Sequence, residues 1–167
     1  MALRHLHISI QAEDFDLGDE SERLLERVGG GDAGAQCSFA GRVRESEKLP
    51  GQQGASADSL LALEIEHYPA MTASAIETIC HDASARWPLI GVSVIHRYGE
   101  LTVGEQIVLV LVVAEHRQAA FSGCEYIMDY LKTRAPFWKK ARFANAEHWV
   151  EARNADAERQ QRWREDV

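Results

Sequence analysis

The stretch Gln106-Ile107-Val108-Leu109-Val110-Leu111-Val112-Val113-Ala114 (QIVLVLVVA, residues 106–114) contains the longest apolar run in the sequence. β-branched residues and leucines follow one another without a polar break, which is typical of a strand covered on both faces. The run is far too short to span a bilayer. We therefore predict that residues 106–114 form a central strand.

Elements on either side of this strand are also predicted. Residues 90–98 indicate a second strand, joined to the first through residues 99–105. Residues 118–133 carry apolar side chains at helical spacing, and Pro136 ends that pattern. The apolar side chains of this predicted helix are Phe121, Cys124, Ile127, Met128 and Leu131.

Earlier in the chain, the pattern of apolar residues predicts three further strands and two helices. The strands are expected at residues 6–10, 35–43 and 60–68. A short helix is expected within residues 13–26, and a longer one over residues 71–87, closed by Pro88.

Two polar segments complete the chain. Residues 45–59 are rich in Gly, Ser and Gln, and a loop of this length is either mobile or functional. The tail from Glu151 onward, with its polar end at about 154–167, is expected to be helical and peripheral. The order of strands and helices predicts an α+β or mixed α/β fold in a single domain over residues 1–167. Of the two we expect α+β, with a mixed, largely antiparallel sheet.

Composition and charge exclude several functional classes. The 167 residues carry a formal net charge of -8, and such an acidic balance argues against general nucleic-acid binding. Cys37, Cys80 and Cys124 are far apart and form no CxxC pair, so we expect buried, reduced thiols in a cytosolic protein. The N-terminus lacks the apolar core of a signal peptide. No residue spacing indicates a metal site.

One segment is basic against this acidic background. Of the eleven residues in KTRAPFWKKAR (residues 132–142), five are basic, and Pro136, Phe137 and Trp138 lie in the middle. A local cationic pocket in an acidic protein favours a small anionic ligand over a long polyanion. A solvated surface segment is the alternative interpretation.

Two other basic pairs lie just outside the predicted elements. Arg42 and Arg44 end a strand, and His116 and Arg117 stand where residues 106–114 meet the next helix. Strand ends and helix N-termini are places where folds bind anions. Arginine and lysine together suit a phosphorylated small molecule. Each pair also has a structural explanation: two arginines facing solvent, and a histidine capping a helix.

Several motifs occur together and in order. They are FAGRVR (residues 39–44), LEIEHYPAM (63–71), VIHRYGEL (94–101), GE (104–105), EHR (115–117), AF (120–121) and YIMDYLKTRAPFWKK (126–140). With these motifs the sequence resembles the catalytic (large) subunit of molybdopterin synthase, from about residue 35 to 153. The resemblance implies an α/β hammerhead-type fold and a cytoplasmic sulfurtransferase of molybdenum cofactor biosynthesis.

The resemblance implies a reaction and a set of partners. Sulfur passes from the thiocarboxylated C-terminal Gly-Gly of a small ubiquitin-like subunit to cyclic pyranopterin monophosphate (precursor Z), and two transfers form the dithiolene of molybdopterin. The large subunits form a homodimer within a heterotetramer, and no cofactor or metal is implied. The alternative is a non-catalytic pterin- or phosphate-binding scaffold of the same fold.

The resemblance also gives roles to residues. Lys132 and Lys139 match the two pocket lysines of the family. We expect Lys132 to act as general acid/base or amine nucleophile and Lys139 to stabilise developing charge, although the sequence does not decide between the two. His116 and Arg117 are expected to reach substrate across the dimer interface. The other substrate-binding candidates are Arg42, Val43, Arg44, Lys140 and Ala141, with Phe39, Met128 and Arg153 as further candidates. Glu45 and Ala141 depart from the residues usual in the family.

Overall fold

The computed structural model describes residues 3–45, 59–144, 146–150 and 154–165. In chain order the elements are β1 (His5–Gln11), α1 (Leu17–Val28), β2 (Ala35–Arg42), β3 (Ala62–His67), α2 (Pro69–Arg86), β4 (Leu89–Arg97), β5 (Gly99–Thr102), β6 (Gln106–Ala114), α3 (Arg117–Arg134), β7 (Phe137–Arg142), β8 (Glu147–Val150) and α4 (Asn154–Glu165). The predicted α+β class is confirmed. In the described part of the chain, no helix is both long and apolar enough to cross a membrane.

The described strands form two four-stranded sheets. The first has the order β1-β4-β6-β2 and the second the order β5-β3-β7-β8. Among these described strands, only β1 and β4 pair in parallel, and the other pairs are antiparallel. The chain passes from the first sheet to the second directly after β4. Gly99 allows this turn because its φ of 90° lies in a region that other residues rarely adopt.

The core lies on both faces of the first sheet, so the predicted central position of β6 is confirmed. Every residue of β6 is buried, as is every residue of β4. Alternate side chains of β6 enter different clusters, as the two-residue period of a strand requires. Leu109 and Leu111 pack with Leu24 of α1. Val110 and Val112 belong to the larger cluster that includes side chains of α2 and α3.

The C-terminal helix α4 is helical as predicted, but it is not peripheral. Trp163 is only 8% exposed, and its ring lies 5.4 Å from that of Trp87 and 5.5 Å from that of Tyr126. The indole Nε1 donates to a carboxylate oxygen of Asp129 at 2.8 Å, and Arg162 donates to the same oxygen at 2.9 Å. One buried tryptophan therefore docks an otherwise polar helix onto α3.

The three cysteines differ in burial. Cys80 and Cys124 are buried as expected, whereas Cys37 is only partly buried because it lies on β2, at the edge of the first sheet. Burial raises the pKa of Cys80 to about 12. The sequence-based expectation of buried thiols therefore holds for two of the three.

Candidate active site

A cavity of about 630 Å³ lies where β2, β3, β4, β6 and β7 meet the C-terminal half of α3 and the first turns of α4. This volume is typical of sites that hold a small molecule. Basic side chains are prominent in its wall, and these are Arg42, Arg44, Lys132, Lys139 and Arg159. Among the described lining residues, Asp156 supplies the only carboxylate. The cavity is therefore suited to an anionic ligand.

Lys132 and Lys139 reach this cavity from different elements. Lys132 lies in the last turn of α3, and Lys139 lies on β7. The helix ends before Pro136, so the seven residues between the lysines are not two helical turns. The chain instead enters β7, which pairs antiparallel with β3 and places Lys139 opposite Ile65. The two lysines thus line one cavity.

Lys139 and Lys140 point to opposite faces of β7, because side chains alternate along a strand. Lys139 lines the cavity together with Phe137. Lys140 is paired with Glu147 at 2.7 Å and lies 5.7 Å from the ring of Trp149. The Glu147 carboxylate raises the pKa of Lys140. The structure therefore does not bring Lys140 into the cavity.

Two other sequence-predicted binding residues are core residues. Val43 is 3% exposed and Ala141 is fully buried, and both pack in the main apolar cluster. Neither is among the residues that line the cavity. Val43 follows the end of β2 with its side chain in the core, and Ala141 lies on the same face of β7 as Lys139 but further along the strand, where that face packs in the core.

Arg42 and Arg44 flank the cavity at the end of β2. The Arg42 guanidinium donates to the carbonyl of Gly104 at 3.0 Å and to the side-chain oxygen of Gln106 at 3.1 Å. These bonds fix its position beside the opening. Arg44 follows two residues later and also lines the cavity. Both arginines were predicted, as were the apolar wall residues Phe39 and Met128.

The helix α4 closes one side of the cavity, which the sequence did not predict. Asp156 lies 3.4 Å from the Nζ atom of Lys132, and its side chain is only 14% exposed. Arg159, one helical turn further on, adds a positive charge to the same wall. Because a polar tail gives no apolar signal, its contribution to the cavity could not be read from composition.

His96 is another lining residue that the sequence did not single out as functional. It is 5% exposed, and its ring is stacked on Phe137 with 3.7 Å between centroids and 16° between planes. Its Nδ1 lies 2.8 Å from the carbonyl oxygen of Arg97. Burial, together with the nearby positive charge of Lys139, lowers the pKa of His96 to about 3. The imidazole is therefore neutral at physiological pH.

His116 and Arg117 are not part of the cavity in this chain. His116 takes the N-cap position of α3 but makes no capping hydrogen bond with its side chain. It is exposed and lies 3.5 Å from the Glu115 carboxylate. Lys132 is near the other end of α3, 16 residues after His116 and therefore about 24 Å away at 1.5 Å per residue. Arg153 and residues 46–58 of the predicted loop lie outside the described residues.

Comparison with known proteins identifies the family. The sequence profile of the MoaE protein family matches residues 10–134. The chain belongs to the MoaE protein family. The resemblance seen in the motifs is thereby confirmed.

Relatives and solved structures that cover nearly the whole of this MoaE chain agree with the assignment. The molybdopterin synthase catalytic subunit of Vibrio cholerae is 46% identical over 93% of this chain and 97% of its own. The structure of the molybdopterin biosynthesis MoaE protein from Burkholderia ambifaria matches with a TM-score of 0.77 and 44% identity. The match covers 95% of this chain and 97% of that chain. A complex of subunits 1 and 2 of molybdopterin-converting factor from Helicobacter pylori shares the fold, with a TM-score of 0.65 and 22% identity over 89% and 91% of the two chains.

Proposed function

We propose that this MoaE protein is the catalytic subunit of a molybdopterin synthase, a cytoplasmic sulfurtransferase, and that the cationic cavity is its active site. The observation that carries the proposal is the convergence of Lys132 and Lys139 with Arg42 and Arg44 on one cavity of about 630 Å³. Family membership supplies the reaction, and the cavity supplies groups able to carry it. No observation favours a non-catalytic scaffold.

The substrate is cyclic pyranopterin monophosphate, and its phosphate is the anion that the cavity suits. Arginine guanidinium groups bind phosphate oxygens through a planar set of N–H donors. Arg42 is already held in place by Gly104 and Gln106, so little side-chain freedom is lost when it binds. The cavity volume accommodates a pterin with its phosphate.

The sulfur donor is the thiocarboxylated C-terminus of a small ubiquitin-like subunit. Its Gly-Gly tail is slender and ends in an anion, so it needs a channel with apolar walls and a cationic end. Phe39 and Met128 line the cavity together with the basic residues. Phe39 is 41% exposed, which suits a side chain at the entrance that a partner's tail covers.

The two lysines have separable tasks in this scheme. Lys132 acts as general acid/base or as an amine nucleophile at the pterin side chain, while Lys139 stabilises negative charge that develops on the phosphate or the acyl leaving group. Asp156 lies 3.4 Å from the Lys132 Nζ and limits where this ammonium can go. Two such transfers form the dithiolene.

Reconstitution tests the proposal. The protein is mixed with a thiocarboxylated small subunit and precursor Z, and molybdopterin formation is measured. Lys132→Ala should lower the rate by about 100-fold or more, the range for loss of a general acid or base. Arg134→Ala is the matched control, since Arg134 lies on the same helical turn but pairs with Asp82 at 3.7 Å. Retained activity in Lys132→Ala, or equal loss in both variants, would contradict the assignment.

The homodimer adds a second test, because His116 and Arg117 are expected to act on the partner's site. Lys132→Ala and His116→Ala variants are purified separately, then mixed and allowed to exchange subunits. Random exchange should restore about one quarter of wild-type activity, because half of the dimers are mixed and each regains one of its two sites. A mixture no more active than its components would count against a shared site.

A further inference from the structure

Cys37 and Cys124 have no part in the sulfur transfer described above, yet the fold brings them together from positions 87 residues apart in the chain. Cys37 lies on β2 and Cys124 on the buried face of α3. Both belong to the apolar layer between the first sheet and α3, where Cys37 packs against the main cluster that contains Cys124. All three cysteines of the chain are free thiols in the structure. The neighbours of the two residues show how their thiols are placed.

The pairing of β2 with β6 directs the Cys37 side chain toward α3. Cys37 stands opposite Val112 in the antiparallel register. Directly opposed side chains leave the same face of a sheet, with their Cβ atoms about 4.5–5.5 Å apart. Val112 belongs to the cluster that includes side chains of α2 and α3. The Cys37 thiol therefore lies on the side of the sheet that α3 covers.

The helix α3 approaches the same point of the sheet. A Cβ atom on Gly123 would lie 3.4 Å from the Cγ1 atom of Val112, so the helix backbone lies low on the strand at this position. The Sγ atom of the next residue, Cys124, is 3.9 Å from the carbonyl oxygen of Val110. Burial, and after it the neighbouring Cys37 thiol, raises the pKa of Cys124. The two thiols thus lie beside the same short piece of β6.

The two thiols differ in their access to solvent. Cys124 is only 4% exposed, and its raised pKa keeps it protonated, so it is inert toward small oxidants. Cys37 is only partly buried, because it lies at the edge of the first sheet. An accessible cysteine next to a second thiol is the arrangement found in redox-sensing pairs, in which the second thiol resolves the oxidised form of the first.

We propose that Cys37 and Cys124 form a reversible disulfide when the protein meets a hydroperoxide, with Cys37 as the reacting thiol and Cys124 as the resolving thiol. First, the Cys37 sulfur attacks one peroxide oxygen and the O–O bond breaks. Cys37 becomes a sulfenic acid, and its proton goes to the oxygen that leaves as water or an alcohol. The Cys124 sulfur then attacks the Cys37 sulfur, the S–O bond breaks, and water leaves with the Cys124 proton. Two electrons pass from the thiols to the hydroperoxide, and a dithiol reductant reverses the change.

The disulfide would join two elements that form the cavity wall. Phe39 and Arg42 follow Cys37 on β2, and Met128 lies one helical turn after Cys124 on α3. The covalent link would therefore fix the spacing of β2 and α3 beneath the cavity without consuming a residue that lines it. In a reducing compartment a disulfide of this kind is transient and serves as a redox sensor.

Mild oxidation of the folded native protein tests the proposal. The reduced protein is treated with a small excess of hydrogen peroxide, the remaining thiols are alkylated, and the products are identified by intact mass and peptide mapping. We expect the loss of two hydrogen atoms, a cross-linked pair of peptides that contain Cys37 and Cys124, and full reversal by dithiothreitol. The oxidised form should also have a higher Tm, because the link closes a loop of 87 residues around thiols that are already in place. Three alkylated cysteines, a disulfide to Cys80, or a lower Tm would overturn the proposal.

Single substitutions test the two roles separately. In Cys124→Ala, oxidation of Cys37 should stop at the sulfenic acid, which dimedone traps. In Cys37→Ala, the buried Cys124 should stay reduced. Cys80→Ala is the matched control, since it removes the third thiol and should form the disulfide in native yield. Equal dimedone labelling of Cys124 and Cys37 in the two variants, with native melting temperatures, would refute the assigned roles. None of these measurements involves molybdopterin, so their outcome is independent of the proposed function.

Discussion

Replacing Asp156 by Asn should strengthen the binding of anions at Lys132. In the native chain the two charged groups are 3.4 Å apart, so an incoming phosphate or carboxylate must compete with Asp156 for the ammonium. Asparagine has nearly the same size and leaves the helix α4 intact, but it removes the competing charge. The substitution therefore isolates the electrostatic effect.

The magnitude follows from the distance and the exposure. Two unit charges 3.4 Å apart attract by about 1.2 kcal/mol in water. The Lys132 side chain is 41% exposed, so the screened value applies, and measured pairs of this kind contribute about 0.2–1 kcal/mol. Removing up to about 1 kcal/mol of competition should lower the Kd of an anion by up to about fivefold.

Isothermal titration calorimetry provides the assay. The probes are inorganic phosphate and a peptide that ends in the Gly-Gly carboxylate of the small subunit, each at low and at high salt. Asp82→Asn is the matched control, because Asp82 pairs with Arg134 outside the cavity and should leave both affinities unchanged. The gain in Asp156→Asn should shrink at high salt, since partly exposed charges are screened.

A particular result would refute this reasoning. If Asp156→Asn binds both probes as weakly as the native protein, or more weakly, while its melting temperature is preserved, then Asp156 does not compete for Lys132. Its contribution would then lie in orienting the ammonium toward the ligand.

Three further predictions concern other parts of the molecule. Asp129→Asn should lower the free energy that holds α4 against α3 by about 1.5–3 kcal/mol, the value of a hydrogen bond to a charged group. Amide hydrogen exchange should then become faster in α4, while β6 stays protected. Lys140→Ala should form molybdopterin at nearly the native rate, whereas Lys139→Ala should lose about 100-fold; equal losses would contradict their placement on opposite faces of β7. As the pH drops from about 6.5 to about 3, the free energy of unfolding of the native protein should fall more steeply than that of His96→Gln. The difference in slope should be at most about 1.4 kcal/mol per pH unit. The reason is that His96 binds a proton in the unfolded chain but not in the folded protein, where its pKa is about 3. Denaturation midpoints that change with pH by the same amount in both proteins would contradict this prediction.

Strong apolar periodicity made the first sheet predictable. Every residue of β4 and β6 is buried, and a strand of this kind carries its signal in its own sequence. The same is true of α3, whose apolar face includes Ile127 and Leu131. Pro136 also had the predicted effect, because it ends the helix between the two lysines.

The sequence did not predict strand β7, because its mixture of basic and aromatic residues is explained only by its pairing with β3. Three of its six residues, Lys139, Lys140 and Arg142, are basic, which locally resembles a surface loop. Pairing with β3 sets Lys140 opposite Glu64, so the outward face becomes a charged cross-strand surface. The second sheet thus depends on partners that are distant in sequence.

The missing parts of the candidate site have the same cause. His96 sits 43 residues before Lys139 in the chain, and no local spacing links them. Asp156 belongs to a polar tail whose docking depends on one buried residue, Trp163. Motifs identified four of the five lysines and arginines that line the cavity, but Arg159 and the neutral and acidic groups around them became visible only in the folded chain.

The alternation of side chains along β7 limits how this segment can change. Deleting or inserting a single residue between Pro136 and Lys139 would shift the parity of the strand and turn Trp138 or Lys140 into the cavity in place of Lys139. Fully buried Ala141 opposes a compensating slip, because the shift would force Arg142 or Lys140 into its apolar site. Side chains on the outer face can therefore vary during evolution, while the number of residues in this segment cannot.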